Sequence, residues 1–165
     1  MKTAVYPGSF DPPTYGHLDV VERGSKIFDK LIIAVAVNEA KQYLFTPEER
    51  HEIMERATGN IPNVEVEIFN GMIIDFVRSK NTRVILRGIR TVSDFEYEFK
   101  MALTNREMSR DIETLFVMTD QQHSFFSSSI TREVAALGGP VETFVPEFIA
   151  DMLRDKLAGQ GTSET

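Results

Sequence analysis

Apolar and polar positions along this chain follow two rhythms, short apolar runs and longer stretches of helical spacing, which take turns with little chain between them. Leu31-Ile32-Ile33-Ala34-Val35-Ala36-Val37 runs on without a polar interruption, which predicts a strand covered on both faces. Val64 to Phe69 alternates instead, with Val64, Val66 and Ile68 set against Glu65 and Glu67. That pattern predicts a strand with one exposed side, at a sheet edge. Thr3 to Tyr6, Val84 to Leu86 and Thr114 to Met118 are further short β-type segments. Helical spacing fills 17–28, 47–58, 72–80, 93–109, 128–137 and 146–158. Two helix starts carry explicit signals. Thr46-Pro47-Glu48-Glu49 offers a cap, a proline at the first helical position and a glutamate at the third, and Ser93-Asp94-Phe95-Glu96 repeats the capping-box spacing. Strands alternating with helices predict parallel pairing through right-handed crossovers. The expected fold is therefore α/β, an open doubly wound, Rossmann-like five-stranded parallel sheet with helices on both faces. Residues 1–158 suit one domain, and 159–165 (Gly-Gln-Gly-Thr-Ser-Glu-Thr) read as a disordered tail.

Sheets of this kind bind ligands beyond the carboxyl ends of their strands. The rule selects 8–17, 38–41, 70–74, 87–90 and 119–129. The first of these is the most informative: Tyr6-Pro7-Gly8-Ser9-Phe10-Asp11-Pro12-Pro13-Thr14-Tyr15-Gly16-His17 joins a short strand to a helix through a Gly/Pro-rich turn. Gly8 lets the backbone approach a ligand, and the free N–H groups and positive dipole end of the helix face the same spot. His17, in the first helical turn, adds a donor or acid where a phosphate would lie. The other selected segments contribute Lys41, Arg87-Gly88-Ile89-Arg90 and Ser127-Ser128-Ser129, all compatible with phosphate.

Charge sharpens this picture. The net charge of −7 argues against a general nucleic-acid or anionic-membrane surface, so any bound polyanion must meet a local cluster of cations. An acidic chain that sets its cations at strand ends fits a small phosphorylated ligand. The absence of cysteine removes disulfides, thiolate catalysis and cysteine-based zinc sites. With no apolar run of membrane-spanning length and a strand directly after Met1-Lys2, a cytoplasmic protein is expected.

Gly8-Ser9-Phe10-Asp11-Pro12 with Thr14-Tyr15-Gly16-His17, then Arg87-Gly88-Ile89-Arg90, then Asp94-Phe95-Glu96-Tyr97-Glu98, then Phe126-Ser127-Ser128-Ser129-Ile130-Thr131-Arg132 closely resemble the bacterial phosphopantetheine adenylyltransferases. These belong to the nucleotidyltransferase superfamily that also includes class I aminoacyl-tRNA synthetases. The resemblance covers about 2–157 in order and spacing. It implies transfer of an adenylyl group from ATP to 4′-phosphopantetheine, giving dephospho-coenzyme A and pyrophosphate by direct in-line displacement.

Carried over by position, it implies that His17 contacts the ATP phosphates and stabilises the transition state, with Lys41 and Arg90 beside it. Ser9 and Phe10 would lie where the two substrates meet. Lys41 and Arg87 would hold the acceptor phosphate, and Ile73 would face the pantetheine arm. Gly88, Ile89, Arg90, Glu98, His123, Ser124, Phe125, Phe126, Ser127, Ser128 and Ser129 would take the nucleotide. The family also implies substrate-associated Mg²⁺, a homohexamer and coenzyme A as a feedback inhibitor. His123 departs from the pattern, standing where relatives often carry a tryptophan or another large ring.

Plainer readings exist for the same residues. His17 could be a surface histidine and Ser127 to Ser129 a helix cap. Arg87 and Arg90 could be solvated partners of Asp94, Glu96 and Glu98, and Lys41 an ordinary loop lysine. His51 reads as structural or exposed. Phe125-Phe126, and Phe95 with Phe99 at helical spacing, read as core. Two other functions compete: another nucleotidyltransferase of this fold, using CTP or a nicotinamide mononucleotide acceptor, and a non-catalytic nucleotide-binding module. A synthetase fragment is disfavoured by the lack of a basic face for tRNA.

Overall fold

The computed structural model describes residues 1–160. Five strands, β1 (Thr3–Gly8), β2 (Lys30–Val37), β3 (Val64–Asn70), β4 (Val84–Ile89) and β5 (Glu113–Met118), form one sheet in the order β3-β2-β1-β4-β5. All pairs are parallel, with Val5 opposite both Ile32 and Ile85. The crossovers carry α1 (Tyr15–Ile27), α2 (Pro47–Thr58), α3 (Ile73–Ser79) and α4 (Val92–Met108), followed by α5 (Ser128–Ala136) and α6 (Glu147–Gln160).

The unbroken apolar run of β2 has the reason expected. Leu31, Ile33 and Val35 pack with Val20, Val21 and Met54 on one side, while Ile32 and Ala34 pack with Ile74, Val77 and Ile112 on the other. A third cluster seats α6 against Phe45 and Ile53 through Ile149 and Leu153, with Val145 just before the helix. β3 lies at an edge, as its alternation predicts, although Ile68 of its apolar stripe is exposed. The strand order reverses at β1, where the chain leaves β3 and returns to β4 on the opposite side. A crevice is therefore forced between the carboxyl ends of β1 and β4.

Several boundaries differ from the sequence reading. α1 begins at Tyr15, so His17 is its third residue rather than its first. β4 extends through Arg87, Gly88 and Ile89, which lie inside the strand instead of beyond it. The cap of α4 is Thr91, whose hydroxyl accepts from the Asp94 N–H at 3.2 Å, so the Ser93 to Glu96 capping box is not used. Thr46 does cap α2, and the Glu49 carboxylate accepts from the Thr46 N–H at 2.8 Å. α6 runs through Gly159 and Gln160, two residues of the expected tail, and 161–165 lie outside the described residues.

α4 departs most from expectation. Its buried residues are Glu98 and Asn105, both polar, whereas Phe95 and Phe99 are 44% and 47% exposed, stacked on each other instead of entering the core. Tyr97, Met101 and Leu103 are exposed as well. Helical spacing located the helix, but not which face turns inward.

Candidate active site

The turn after β1 is built around Phe10, which takes a left-handed backbone (φ 51°) and puts its ring into the core, edge-on to Tyr6 and His17 at 5.3 Å each. A Cβ on Gly8 would lie 2.7 Å from that ring. Glycine is required here to admit Phe10, a reason that adds to the ligand approach expected of it. The next residue ties the turn down: the buried Asp11 carboxylate accepts from the N–H groups of Leu44 (2.9 Å) and Phe45 (2.8 Å), and Arg132 reaches it from α5 at 3.4 Å.

Thr14 precedes α1, and its backbone N–H donates to Nδ1 of His17 at 3.0 Å. Nδ1 is thereby an acceptor, so the ring proton sits on Nε2. Burial, with Arg90 and Arg87 close by, pushes the His17 pKa down to about 3. His17 is therefore a neutral N–H donor at ordinary pH, which removes the acid from the two roles the sequence left open. The Thr14-x-x-His17 spacing, three residues as in a capping box, was the sequence signal for this arrangement.

Arg87 in β4 and Arg90 just after it are committed to ion pairs that are half-buried rather than solvated. Arg87 donates from Nε and Nη2 to Glu98 at 2.7 and 2.5 Å, and from Nη1 to the Pro7 carbonyl. Arg90 grips Asp94 and also donates to the Phe126 carbonyl at 2.8 Å, joining β4 to the segment before α5. Glu96 stays exposed. Lys41 is exposed, and its ammonium pairs with no carboxylate among the described residues. Gly88 allows α1 to press on β4, since a Cβ there would meet Val20 at 2.5 Å.

Two cavities open from the crevice. One, of about 210 Å³, is polar and reaches Thr14, His17, Arg90, Thr119 and Ser128. The other, of about 220 Å³, reaches Lys41 and an apolar wall of Ile73, Ile85, Met101 and Ala102. Pro7, Gly8, Ser9, Arg87 and Glu98 line both, so the Arg87–Glu98 pair forms their common wall. A larger opening of about 340 Å³ joins Ser9, His17 and Lys41 to Arg90, Arg132 and Ser127 to Ser129. Three of its lining groups, Lys41, Arg90 and Arg132, are cations against one carboxylate, Asp11.

The structure thus brings together Ser9, Phe10, His17, Lys41, Ile73, Arg87, Gly88, Arg90, Glu98 and Ser127 to Ser129. Ile89, His123, Ser124, Phe125 and Phe126 line none of these three cavities. His123 stacks on Tyr15 at 5.7 Å, and Phe126 packs on Phe144 at 4.8 Å. Phe125 is 75% exposed, against its reading as core. Ser127 caps α5 by accepting from the Ile130 N–H at 3.1 Å, while Ser128 donates to the Pro12 carbonyl at 2.8 Å.

Sequence reasoning gave no role to Asp11 and Arg132, although both stand in the motifs, and did not single out Arg50. Arg50 is fully buried, and its Nη1 donates to the carbonyls of Ser9 (2.7 Å) and Ala36 (2.9 Å), locking the ends of β1 and β2 together. His51, beside it, is structural as expected, bonded to the Val66 carbonyl at 3.0 Å. A signal for Arg50 existed: it shares a helical face with the core residues Ile53 and Met54, three and four positions on. No group of three or more His, Asp or Glu among the described residues could hold a metal. The carboxylates at the crevice, Asp11, Asp94 and Glu98, already serve backbone N–H groups or arginines.

Residues 5–134 match a family described as cytidylyltransferase-like. A phosphopantetheine adenylyltransferase of Clostridium botulinum (strain Eklund 17B / Type B) is 58% identical over 155 residues, 93% of this chain and 98% of that protein. Another, of Geobacter sulfurreducens, is 51% identical over 158 residues, 96% of each chain. A nicotinic acid mononucleotide adenylyltransferase of Plasmodium falciparum, solved in complex with NaAD, superposes with a TM-score of 0.65 at 14% identity, over 96% of this chain and 95% of that one. The last speaks to the fold alone. A doubly wound sheet with a cationic crevice at its switch point, on a cytidylyltransferase-like sequence, defines a nucleotidyltransferase. Within that class the chain belongs to the phosphopantetheine adenylyltransferase family.

Proposed function

We propose that this enzyme transfers the adenylyl group of ATP to the phosphate of 4′-phosphopantetheine, forming dephospho-coenzyme A and pyrophosphate as a step of coenzyme A synthesis. The observation that carries the reading is the pair of unlike cavities meeting at Gly8-Ser9, one polar with His17 and Arg90, the other apolar-walled with Lys41. The polar side, with Gly88, Arg90 and Ser128, suits the nucleotide, and Glu98 borders it, while Ile89 and the rest of the 123–129 segment would meet the parts of the nucleotide that extend beyond the cavity. The apolar wall, Ile73 included, suits the pantetheine arm, with Lys41 and Arg87 at its phosphate.

An oxygen of the acceptor phosphate attacks the α-phosphorus of ATP in line, and the bond to the β-phosphate oxygen breaks, so pyrophosphate leaves. The neutral N–H of His17 donates to the phosphoryl oxygens as charge moves onto them, and Arg90 and Lys41 balance that charge. The chain holds both reactants and needs no nucleophile of its own. Magnesium, carried by triphosphate oxygens and water, would neutralise the leaving group when bound.

Coenzyme A carries the same arm and would compete for the apolar cavity, which supports feedback inhibition. The exposed apolar face of α4, with Leu115 and Met118 of β5, supports burial between copies in a homohexamer. No described helix is long and apolar enough to cross a membrane, in keeping with a cytoplasmic enzyme. Incubation with ATP, Mg²⁺ and 4′-phosphopantetheine should release pyrophosphate and form dephospho-coenzyme A. Parallel reactions with CTP, or with nicotinamide mononucleotide as acceptor, should stay near background. Turnover confined to one of those would overturn the reading, and nucleotide binding without any turnover would favour the non-catalytic module.

A further inference from the structure

Glu98 is one of two buried residues on α4 and is 8% exposed, on a helix whose large apolar side chains are mostly exposed. Its carboxylate takes two of the Arg87 N–H groups, at 2.7 and 2.5 Å, and a third goes to the Pro7 carbonyl. Only two of the five guanidinium N–H groups are left for a ligand. The pair is also neutral as a unit. Of the charged residues lining the apolar-walled cavity, Lys41, Arg87 and Glu98, the first alone is uncompensated.

We infer that Glu98 is a built-in counter-ion that holds Arg87 and sets the acceptor side's affinity for any phosphate low, so that a free phosphate binds there poorly. The inference rests on the reading of Lys41 and Arg87 as holders of the acceptor phosphate. A phosphate entering beside Arg87 must share the guanidinium with a carboxylate, or displace it, against like-charge repulsion. Inorganic phosphate brings nothing to offset that cost. A phosphate attached to an arm that fills the wall of Ile73, Met101 and Ala102 brings apolar burial, and so is admitted. Glu98 lowers the affinity of every phosphate alike, and the arm restores it for one kind of molecule. Small anions abundant around the enzyme are thereby kept from standing where the acceptor must react.

Glu98→Gln keeps the shape and one acceptor oxygen for Arg87 while removing the charge. Calorimetric titration of wild type and E98Q with inorganic phosphate, 4′-phosphopantetheine and pantetheine separates the possibilities. Both phosphate-bearing probes should bind E98Q about tenfold more tightly than wild type, with pantetheine unchanged. Phosphate affinity that is unchanged or weaker in E98Q would overturn the inference, and so would a parallel change in pantetheine binding, which marks a displaced α4. Should wild type bind 4′-phosphopantetheine no better than inorganic phosphate, the acceptor reading fails instead, whatever E98Q does. If E98Q does not fold, the Arg87 Nε–H resonance of the wild type gives the answer. It should shift on saturation with 4′-phosphopantetheine and stay in place with pantetheine; no shift with either, or equal shifts with both, contradicts the counter-ion role.

Discussion

The backbone N–H of Thr14 donates into Nδ1 of His17 at 3.0 Å, and that one contact decides what the histidine can do. With Nδ1 occupied and the ring held neutral by burial and by Arg90 and Arg87, Nε2–H is the ring's one donor, and His17 lines the polar cavity. The His17 ring should therefore show no titration between pH 8 and 5 by NMR, because its pKa lies at about 3 rather than 6.5. The sign for stability follows. Between 6.5 and about 3 the unfolded chain binds a proton that folded His17 refuses, so its contribution is complete above pH 6.5 and declines as pH falls toward 3. Denaturant midpoints of His17→Gln should fall less steeply than those of wild type across that window.

His17→Ala removes a donor aimed at the reacting phosphoryl group. The expected loss is about 10²–10³ in kcat, with the Kd for ATP changed only a few-fold. A loss confined to ATP affinity, with kcat intact, would make His17 a ground-state contact.

Arg50 holds two strand-end carbonyls from full burial, one of them on Ser9. Arg50→Met leaves the carbonyls of Ser9 and Ala36 without that donor, and should cost about 2–4 kcal/mol in urea unfolding. Ser9 lines all three openings of the crevice, so the KM for both substrates should rise as well. A variant as stable as wild type would show that the buried cation is dispensable.

Gly8→Ala places a methyl group 2.7 Å from the ring of Phe10, which is buried and cannot retreat without disturbing Tyr6 and His17. Overpacking of this kind typically costs about 1–3 kcal/mol. Thermal unfolding and initial rates should both register it, with kcat falling at least about tenfold because His17 moves with the ring.

Light scattering should return a mass near six times the 18.7 kDa of one chain. Leu103→Glu, on the exposed apolar face of α4, should reduce it. A monomer in the unsubstituted protein would leave that face without the proposed cover.

Much of the fold was legible because the two periodicities are written locally. The unbroken run of β2, the alternation of β3 and the Thr46 cap of α2 each reflect forces acting within a few residues. The legible part of the site was the donors that follow strands, since strand ends in a parallel sheet must share one edge. Illegible were Arg50, which sequence reasoning did not single out, and the outward turn of Phe95 and Phe99. Spacing says that residues share a face, but which face the sheet covers is settled by everything else packed around it.

By itself the sequence determined the order of elements, the doubly wound class of sheet, and a supply of phosphate-compatible groups near the carboxyl ends of its strands. Those features follow from hydrophobic rhythm and chain connectivity. Only the tertiary structure decided the state of the groups: His17 neutral and donating through Nε2, Gly8 present to admit Phe10, Arg87 already paired with Glu98. Protonation, tautomer and pairing depend on which atoms lie within about 3 Å, and that proximity joins residues as far apart as Pro7 and Arg87, a distance no local pattern encodes.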